Sequence, residues 1–293
     1  MLPASFTPDF LSQLELLRLR SRRAFLGSRQ GGHPSPKRGH GIEFSDYRKY
    51  EQGDNPRHID WGVYARTDRL YVKRFQEEQD LHVLIILDTS ASMATPAHEH
   101  KWEKARDLAL ALAYVALMEQ DSVMLSALGS FHSPAFYGGR AIHTLGKLLC
   151  QIQPGKSKDL GQEMRRAASR IRFPGIAIVI SDFLMPFAVI EEAFLTLRAK
   201  NLDISAVQIL GPDDINPLPE TASALAVDSE TGEVMELALD ETQRSEYGVL
   251  LVEHNQRLKN FLADGRIAYS LALSSKSLPE IIHESIAETG LIE

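Results

Sequence analysis

Two aspartates each follow directly on a run of apolar residues, in surroundings that could hold a metal ion. Asp88 comes after LHVLIIL (81–87) and opens the string Asp88-Thr89-Ser90-Ala91-Ser92; Asp182 comes after GIAIVIS (175–181). A carboxylate and two hydroxyls at alternate positions of one short loop can face a common point. Oxygen-only donors of this kind suit a hard cation such as Mg²⁺ or Mn²⁺, which keeps several waters and is held by one or two carboxylates. Two aspartates would also balance its charge. The pair exists only if both runs are parallel strands of one sheet, because then both carboxylates stand at its carboxyl-terminal rim, where open α/β sheets place their ligands. The competing local reading of 88–92 is an Asx or Ser turn that caps the loop.

The elements that must position these groups are legible as periodicity. From residue 81 onward, strands at 81–87, 122–128, 175–180 and 202–210 alternate with helices at 102–119, 143–152, 160–172 and 187–200. Each strand is a near-continuous apolar run, which means burial on both faces, as in a parallel sheet covered by helices. The expected fold class is therefore α/β, with a doubly wound, mainly parallel sheet and an N-terminal helical and β extension. Past Gly211, Pro212, Pro217 and Pro219 the pattern predicts a hairpin, ALAVD and EVMEL around a turn at 229–232, then a helix over 240–262. The strand RIAYSLAL (266–273) should return to the sheet edge, and a last helix should start near Pro279.

Upstream, a helix over 9–26 places Phe10, Leu14, Leu17 and Phe25 on one face, and a stretch rich in Gly, Ser and Pro follows at 27–41. Strands at 43–50 and 69–75 flank a turn at Gly53-Asp54-Asn55-Pro56, with a short helix between them. The expected division is 1–40, a basic helical segment and linker; 41–80, a β extension; and 81–293, the α/β domain.

Composition narrows the classes of function. The 293 residues are 44% apolar and 24% charged, with a formal charge of −7, which fits a folded globular chain. The run 108–118 is the longest uncharged apolar stretch and is too short to span a bilayer. The N-terminus lacks the unbroken greasy segment of a secretory signal, and a single cysteine, Cys150, cannot form an intrachain disulfide. The cytoplasm is the expected compartment. The first 80 residues carry 14 Lys+Arg against 11 Asp+Glu, a bias too mild to imply nucleic acid. The cluster Arg18, Arg20, Arg22, Arg23 and Arg29 could touch anionic lipid at a membrane surface or nucleic acid, but with no interleaved aromatics, glycine loop or helix-turn-helix pattern, plain helical packing is the better reading.

Asp-x-Ser-x-Ser after the first strand resembles the metal-ion-dependent adhesion site of von Willebrand factor A domains, and Asp182 looks like that site's distant aspartate. The resemblance implies a metal held by Asp88, Ser90, Ser92 and Asp182 with one position open to an acidic group of a partner. The departure falls at the family's threonine, in a segment that there ends Thr-Asp-Leu and here reads Gly155-Lys156-Ser157-Lys158-Asp159-Leu160. Either Ser157 supplies the hydroxyl, or the Lys158 ammonium takes the cation's place and pairs with Asp88 or Asp182.

A wider resemblance covers roughly residues 15 to 290. Gly41-Ile42-Glu43-Phe44, Arg48-Lys49-Tyr50, Gly53-Asp54, Arg57-His58-Ile59-Asp60-Trp61 and Ala65-Arg66 look like the signature of domain-of-unknown-function family 58. Members often carry a von Willebrand A-like body and accompany MoxR-type AAA+ ATPases, so a protein partner of that class is implied. Many relatives have N-terminal membrane helices, which this sequence lacks. Physically, Arg48, Arg57 and Arg66 with Asp54 and Asp60 could form a polar knot anchored by Trp61, either fixing the segment or presenting a docking surface together with Tyr50 and Gly53.

Other chemistries fit less well. Gly155-Lys156-Ser157 would need its partner glycine where Cys150 stands, so it is not a P-loop. A haloacid-dehalogenase phosphatase needs an aspartate where Ser90 stands. Gly129-Ser130 lacks the nucleophile-elbow pattern, and His98-Glu99-His100, like His82, His132 and His143, lacks zinc-ligand spacing and reads as surface. The expectation is a non-enzymatic interaction module using Mg²⁺ or Mn²⁺. The alternative is a metal-dependent hydrolase in which Asp88 and Asp182 hold a cation that activates water.

Overall fold

A computed structural model describes residues 2–20, 42–77, 81–155, 160–171, 175–216, 224–227, 234–237 and 241–293. The chain divides into two compact units, one of Met1–Ala24 with Leu81–Glu293 and one of Phe25–Asp80. The first helix, which the sequence sets apart with residues 1–40, thus belongs to the large unit.

The chain enters the large unit through α1 (Pro8–Leu14). Thr7 caps it by accepting the N–H of Phe10 at 3.2 Å, and Pro8 needs no donor at the first position. Phe10 and Leu14 are buried in the core shared with the body. The helix ends well before residue 26, contrary to the periodicity, because the next backbone donors are taken from outside. Arg18 and Arg20 N–H groups donate to the carbonyls of Glu293 and Leu291 at 3.0 and 2.8 Å, and Leu19 bridges Ile292. Of the basic cluster, Arg18 pairs with Glu119 and Arg20 with Glu293; Arg22, Arg23 and Arg29 lie outside the described residues.

The small unit pairs β1 (Ile42–Lys49) with β2 (Tyr71–Glu77) antiparallel, and α2 (Trp61–Thr67) fills the connection. The turn between them uses Gly53 at φ 111°, which L side chains rarely adopt.

The chain re-enters the large unit at β3 (His82–Leu87), continuing through α3 (Lys101–Met118), β4 (Ser122–Ala127), β5 (Phe131–His132) and α4 (Ile142–Gln151). Then follow α5 (Leu160–Arg170), β6 (Gly175–Ser181), α6 (Phe187–Arg198), β7 (Asp203–Leu210) and α7 (Pro212–Ile215). The hairpin β8 (Ala224–Val227) and β9 (Val234–Leu237) forms as expected, with its turn outside the described residues. The long helix α8 (Glu241–Asp264), β10 (Ala268–Leu273) and the short α9 (Leu278–Glu280), prolonged by a π turn, end the chain. The six-stranded sheet has the order β10-β7-β6-β3-β4-β5, and only β5 runs antiparallel. The expected mainly parallel α/β sheet is present, and β10 does return to its edge.

Each apolar strand serves two cores at once. Val83, Ile85 and Leu87 face one helical layer with α3, α4 and α1, while Leu84 and Ile86 face the other with α5, α6 and α8. Strand β6 sorts the same way, Ile176, Ile178 and Ile180 against Ala177 and Val179. The period of two is intact although every residue is apolar, the signature of a strand buried on both faces. Helix α3 is buried along its length from Leu108 to Leu117, as an all-round apolar helix must be. Truncating Leu112 (1% exposed) to Ala should therefore cost about 2–5 kcal/mol in urea unfolding, whereas Val252→Ala on the exposed face of α8 (68%) should stay within about 0.5 kcal/mol.

Candidate functional site

From β3 the winding proceeds through β4 to one edge, and from β6 through β7 and β10 to the other. The crevice where the direction reverses lies at the carboxyl ends of β3 and β6, and these ends carry Asp88 and Asp182. Backbone pairing sets Asp88: its N–H donates to Ile180 O at 2.9 Å, extending the β3–β6 ladder by one residue.

The side chains then converge. Asp88 Oδ1 accepts the N–H of Ser90 at 2.8 Å, and Oδ2 accepts the Ser181 hydroxyl at 2.6 Å. The first contact is the Asx turn of the local reading, yet the loop does more than cap itself. The hydroxyls of Ser90 and Ser92 lie 3.0 Å apart, and Ser92 hydrogen-bonds the Asp182 carboxylate. Asp88, Ser90, Ser92 and Asp182 form one cluster, in agreement with their spacing. Gly155 N–H donates to Thr89 O at 2.9 Å, so the third loop reaches the site. Ser157 and Lys158, on which the family's threonine position turns, lie outside the described residues.

Asp182 is 1% exposed. Its Oδ1 accepts the N–H of Leu184 at 3.2 Å, and its buried Oδ2 has no hydrogen-bond partner among the described residues. Burial pushes the carboxyl pKa up to about 6, and the Asp88 carboxylate adds to the rise. An opposing pull comes from a residue that sequence reasoning misses. Lys101, at the first position of α3, has a side chain 1% exposed, 3.7 Å from Asp182 Oδ2 and 2.8 Å from Asp214 Oδ2. A positive charge at a helix N-terminus opposes the helix dipole, which is the one signal that could have marked Lys101. Its partner Asp214 lies too far along the chain for spacing to reveal.

The loop after β6 is held under strain. Phe183 adopts φ 51°, unusual for a bulky side chain, and its buried ring lies 5.7 Å from that of Phe194. Gln208, fully buried in β7, donates to Asp182 O at 2.9 Å and accepts from Tyr269 at 2.6 Å, while His254 meets Phe183 O at 2.7 Å. These contacts fix where the Asp182 carboxylate stands. Asp182 and Asp214 flank the Lys101 ammonium, Asp88 stands close enough to Asp182 to raise its pKa, and among the described residues one buried carboxylate oxygen, Asp182 Oδ2, has no hydrogen-bond donor. An oxygen donor set with spare negative charge suits a hard divalent cation.

In the small unit some members of the expected polar knot can be placed. Arg48 does pair with Asp54, at 2.6 Å, and the Glu51 N–H and Arg48 hold that carboxyl below its usual range. Asp60 caps α2, accepting from Gly62 and Val63 at 2.9 and 3.1 Å and from the Tyr47 hydroxyl at 3.0 Å. Arg66 donates to Gly62 O, and Arg57 is exposed. Tyr50 N–H donates to Leu70 O. Trp61 is no buried anchor: it is 61% exposed, edge-on to Tyr64 at 6.0 Å. An exposed guanidinium and an exposed indole form a surface rather than a core.

Removing Lys101 while keeping its bulk leaves Asp182 and Asp214 buried and unneutralised, so Lys101→Met should cost about 3–5 kcal/mol in chelator-treated protein. Asp182→Asn, which removes a charge that burial and Asp88 disfavour, should be neutral or stabilising in the same urea titration. The pKa of Asp182 is raised in the native state, so its contribution to stability is present below about pH 4 and lost as pH rises through about 6. Asp182→Asn should flatten that decline.

Among the described residues no helix is long and apolar enough to cross a membrane. The chain is 28% identical over 260 residues to the uncharacterized proteins Rv1480 of Mycobacterium tuberculosis and Mb1516 of Mycobacterium bovis, spanning 84% of this chain and 79% of each relative. Among solved structures it is similar to the conserved hypothetical protein BatB of Bacteroides thetaiotaomicron, at 19% identity and a TM-score of 0.44 over 72% of this chain and 98% of that one. An aerotolerance-related membrane protein of Bacteroides fragilis matches at 19% identity and a TM-score of 0.43, over 71% of this chain and 99% of that one. The profile of proteins of unknown function DUF58 matches residues 46–257, and the chain belongs to that family.

Proposed function

We propose that this protein is a non-enzymatic interaction module that binds Mg²⁺ or Mn²⁺ in the β3–β6 crevice and, through it, an acidic side chain of a partner protein. The observation that carries the reading is the buried Oδ2 of Asp182, which among the described residues receives no hydrogen bond, inside a cluster of two carboxylates and two serine hydroxyls at the switch point. Asp88 and Asp182 would supply the charge and Ser90 and Ser92 the neutral oxygens. Ser181 orients Asp88 by hydrogen bond, and Gln208 and His254 hold the strained Asp182 loop. The cation would supply a Lewis-acidic position that an acidic group can occupy. The family resemblance supports a MoxR-type AAA+ ATPase as the partner and the cytoplasm as the place where they meet. The exposed Trp61 and the Arg57 and Arg66 side chains of the small unit are candidates for a second contact with it.

Thermal unfolding in chelator, Mg²⁺ and Mn²⁺ tests the metal. At a hundred times its dissociation constant a cation specific for the native state adds about 2.7 kcal/mol, raising Tm by roughly 5–10 °C. The shift should vanish in Asp88→Ala. No shift in the wild type but one in Lys158→Thr would mean that the lysine takes the cation's place. Calorimetric titration with a purified MoxR-type ATPase tests the partner: binding should require the cation and be lost in Asp88→Ala, and equal binding in chelator would refute this use of the crevice.

A further inference from the structure

Ahead of α3 a second set of metal-ligand side chains comes together. His98 and Glu99, in the 3-10 turn Ala97–Glu99 ahead of α3, meet Asp213 of α7, and one ligand atom from each lies within 4.8 Å of the others. His98 Nε2 stands 3.3 Å from Asp213 Oδ2, the separation that two bonds of about 2.1 Å to one metal subtend at a roughly tetrahedral angle. Glu99 is 7% exposed. Its Oε1 accepts the backbone N–H of Asp213, while its Oε2 is sealed from solvent and has no hydrogen-bond partner among the described residues.

A buried carboxylate in that condition is costly unless something neutralises it. Burial, then the Asp214 and Asp213 carboxylates, hold the Glu99 pKa up. The nearby ammonium of Lys101 is engaged by both oxygens of Asp214, at 2.9 and 2.8 Å. The close approach is specific to this backbone, because a Cβ on Gly211 would fall 1.7 Å from Glu99 Oε2. The His98 side chain is 71% exposed, which leaves an entry path for an ion. Spacing along His98-Glu99-His100 does not reveal the set, because the third ligand lies 114 residues beyond Glu99.

We propose that His98, Glu99 and Asp213 bind a zinc-class divalent cation at a site separate from the Asp88–Asp182 crevice, tying α7 to the loop that leads into α3. An imidazole with two carboxylates favours such an ion over Mg²⁺, whereas the all-oxygen crevice has the opposite preference.

Zinc titration calorimetry on the full-length, chelator-stripped chain tests this in an Asp88→Ala background, which silences the crevice. The same titration on the wild-type chain in excess Mg²⁺ keeps the test valid if Asp88→Ala does not fold. One Zn²⁺ per chain is expected, with His98→Ala and Asp213→Asn each weakening binding by at least about tenfold. Neither variant should alter the Mg²⁺-dependent shift in Tm. Zinc isotherms unchanged by both variants, or no zinc uptake, would overturn the proposal while leaving the crevice untouched.

Discussion

Asp182 sits at the end of the central strand pair with 1% of its surface exposed, and a carboxylate so placed is held at a cost of several kcal/mol unless opposite charge is brought to it. Much around it can be understood as a response to that cost. Lys101 is driven into the body despite standing at a helix N-terminus, and Asp214 is drawn in to share its ammonium. Gln208 and His254 commit hydrogen-bonding capacity to the backbone of the Asp182 loop, Tyr269 in turn holds Gln208, and Phe183 accepts a left-handed conformation there. A fold does not need this arrangement to be stable. Replacing buried ions by apolar groups of similar volume is often neutral or favourable, which supports the binding role proposed for the crevice.

The sheet supplies the rigidity that such a site requires. Because β3 and β6 are packed on both faces, neither strand can slide by one residue without exchanging every side chain between two cores. The separation of Asp88 and Asp182 is therefore set by two hydrophobic layers rather than by the loops that bear them. The loops adjust only the last few ångströms, through the Asx turn at Ser90 and the strained turn at Phe183.

Much of this is legible from residue order. The apolar runs ending in Asp88 and Asp182 indicate parallel strands and a shared rim, since a strand that is apolar on both faces must be covered on both. Local signals fail where the deciding contact is remote. The helix expected over 9–26 stops at Leu14 because residues 291–293 capture its donors, and no periodicity within the first 26 residues records that. Lys101 and Glu99 find their partners after β7, so neither their burial nor their role has a nearby signature. The expected knot around Trp61 rests on residue types alone. Types alone do not say that an aspartate will cap a helix, as Asp60 does.

The pairing of Leu19 with Ile292 has a bearing on how the protein is made. The large unit is discontinuous, and residues 25–80 are spliced into it as an insert. During vectorial synthesis on a ribosome, the strip 18–20 emerges early and must wait for 291–293 before its hydrogen bonds can close. Until then Phe10 and Leu14 belong to a core whose remaining wall is still being assembled. Contacts of such long sequence separation close slowly, and apolar surface left exposed meanwhile is what chaperones recognise. The large unit is thus closed only when 291–293 meet 18–20, so a change in either strip would be felt at the other.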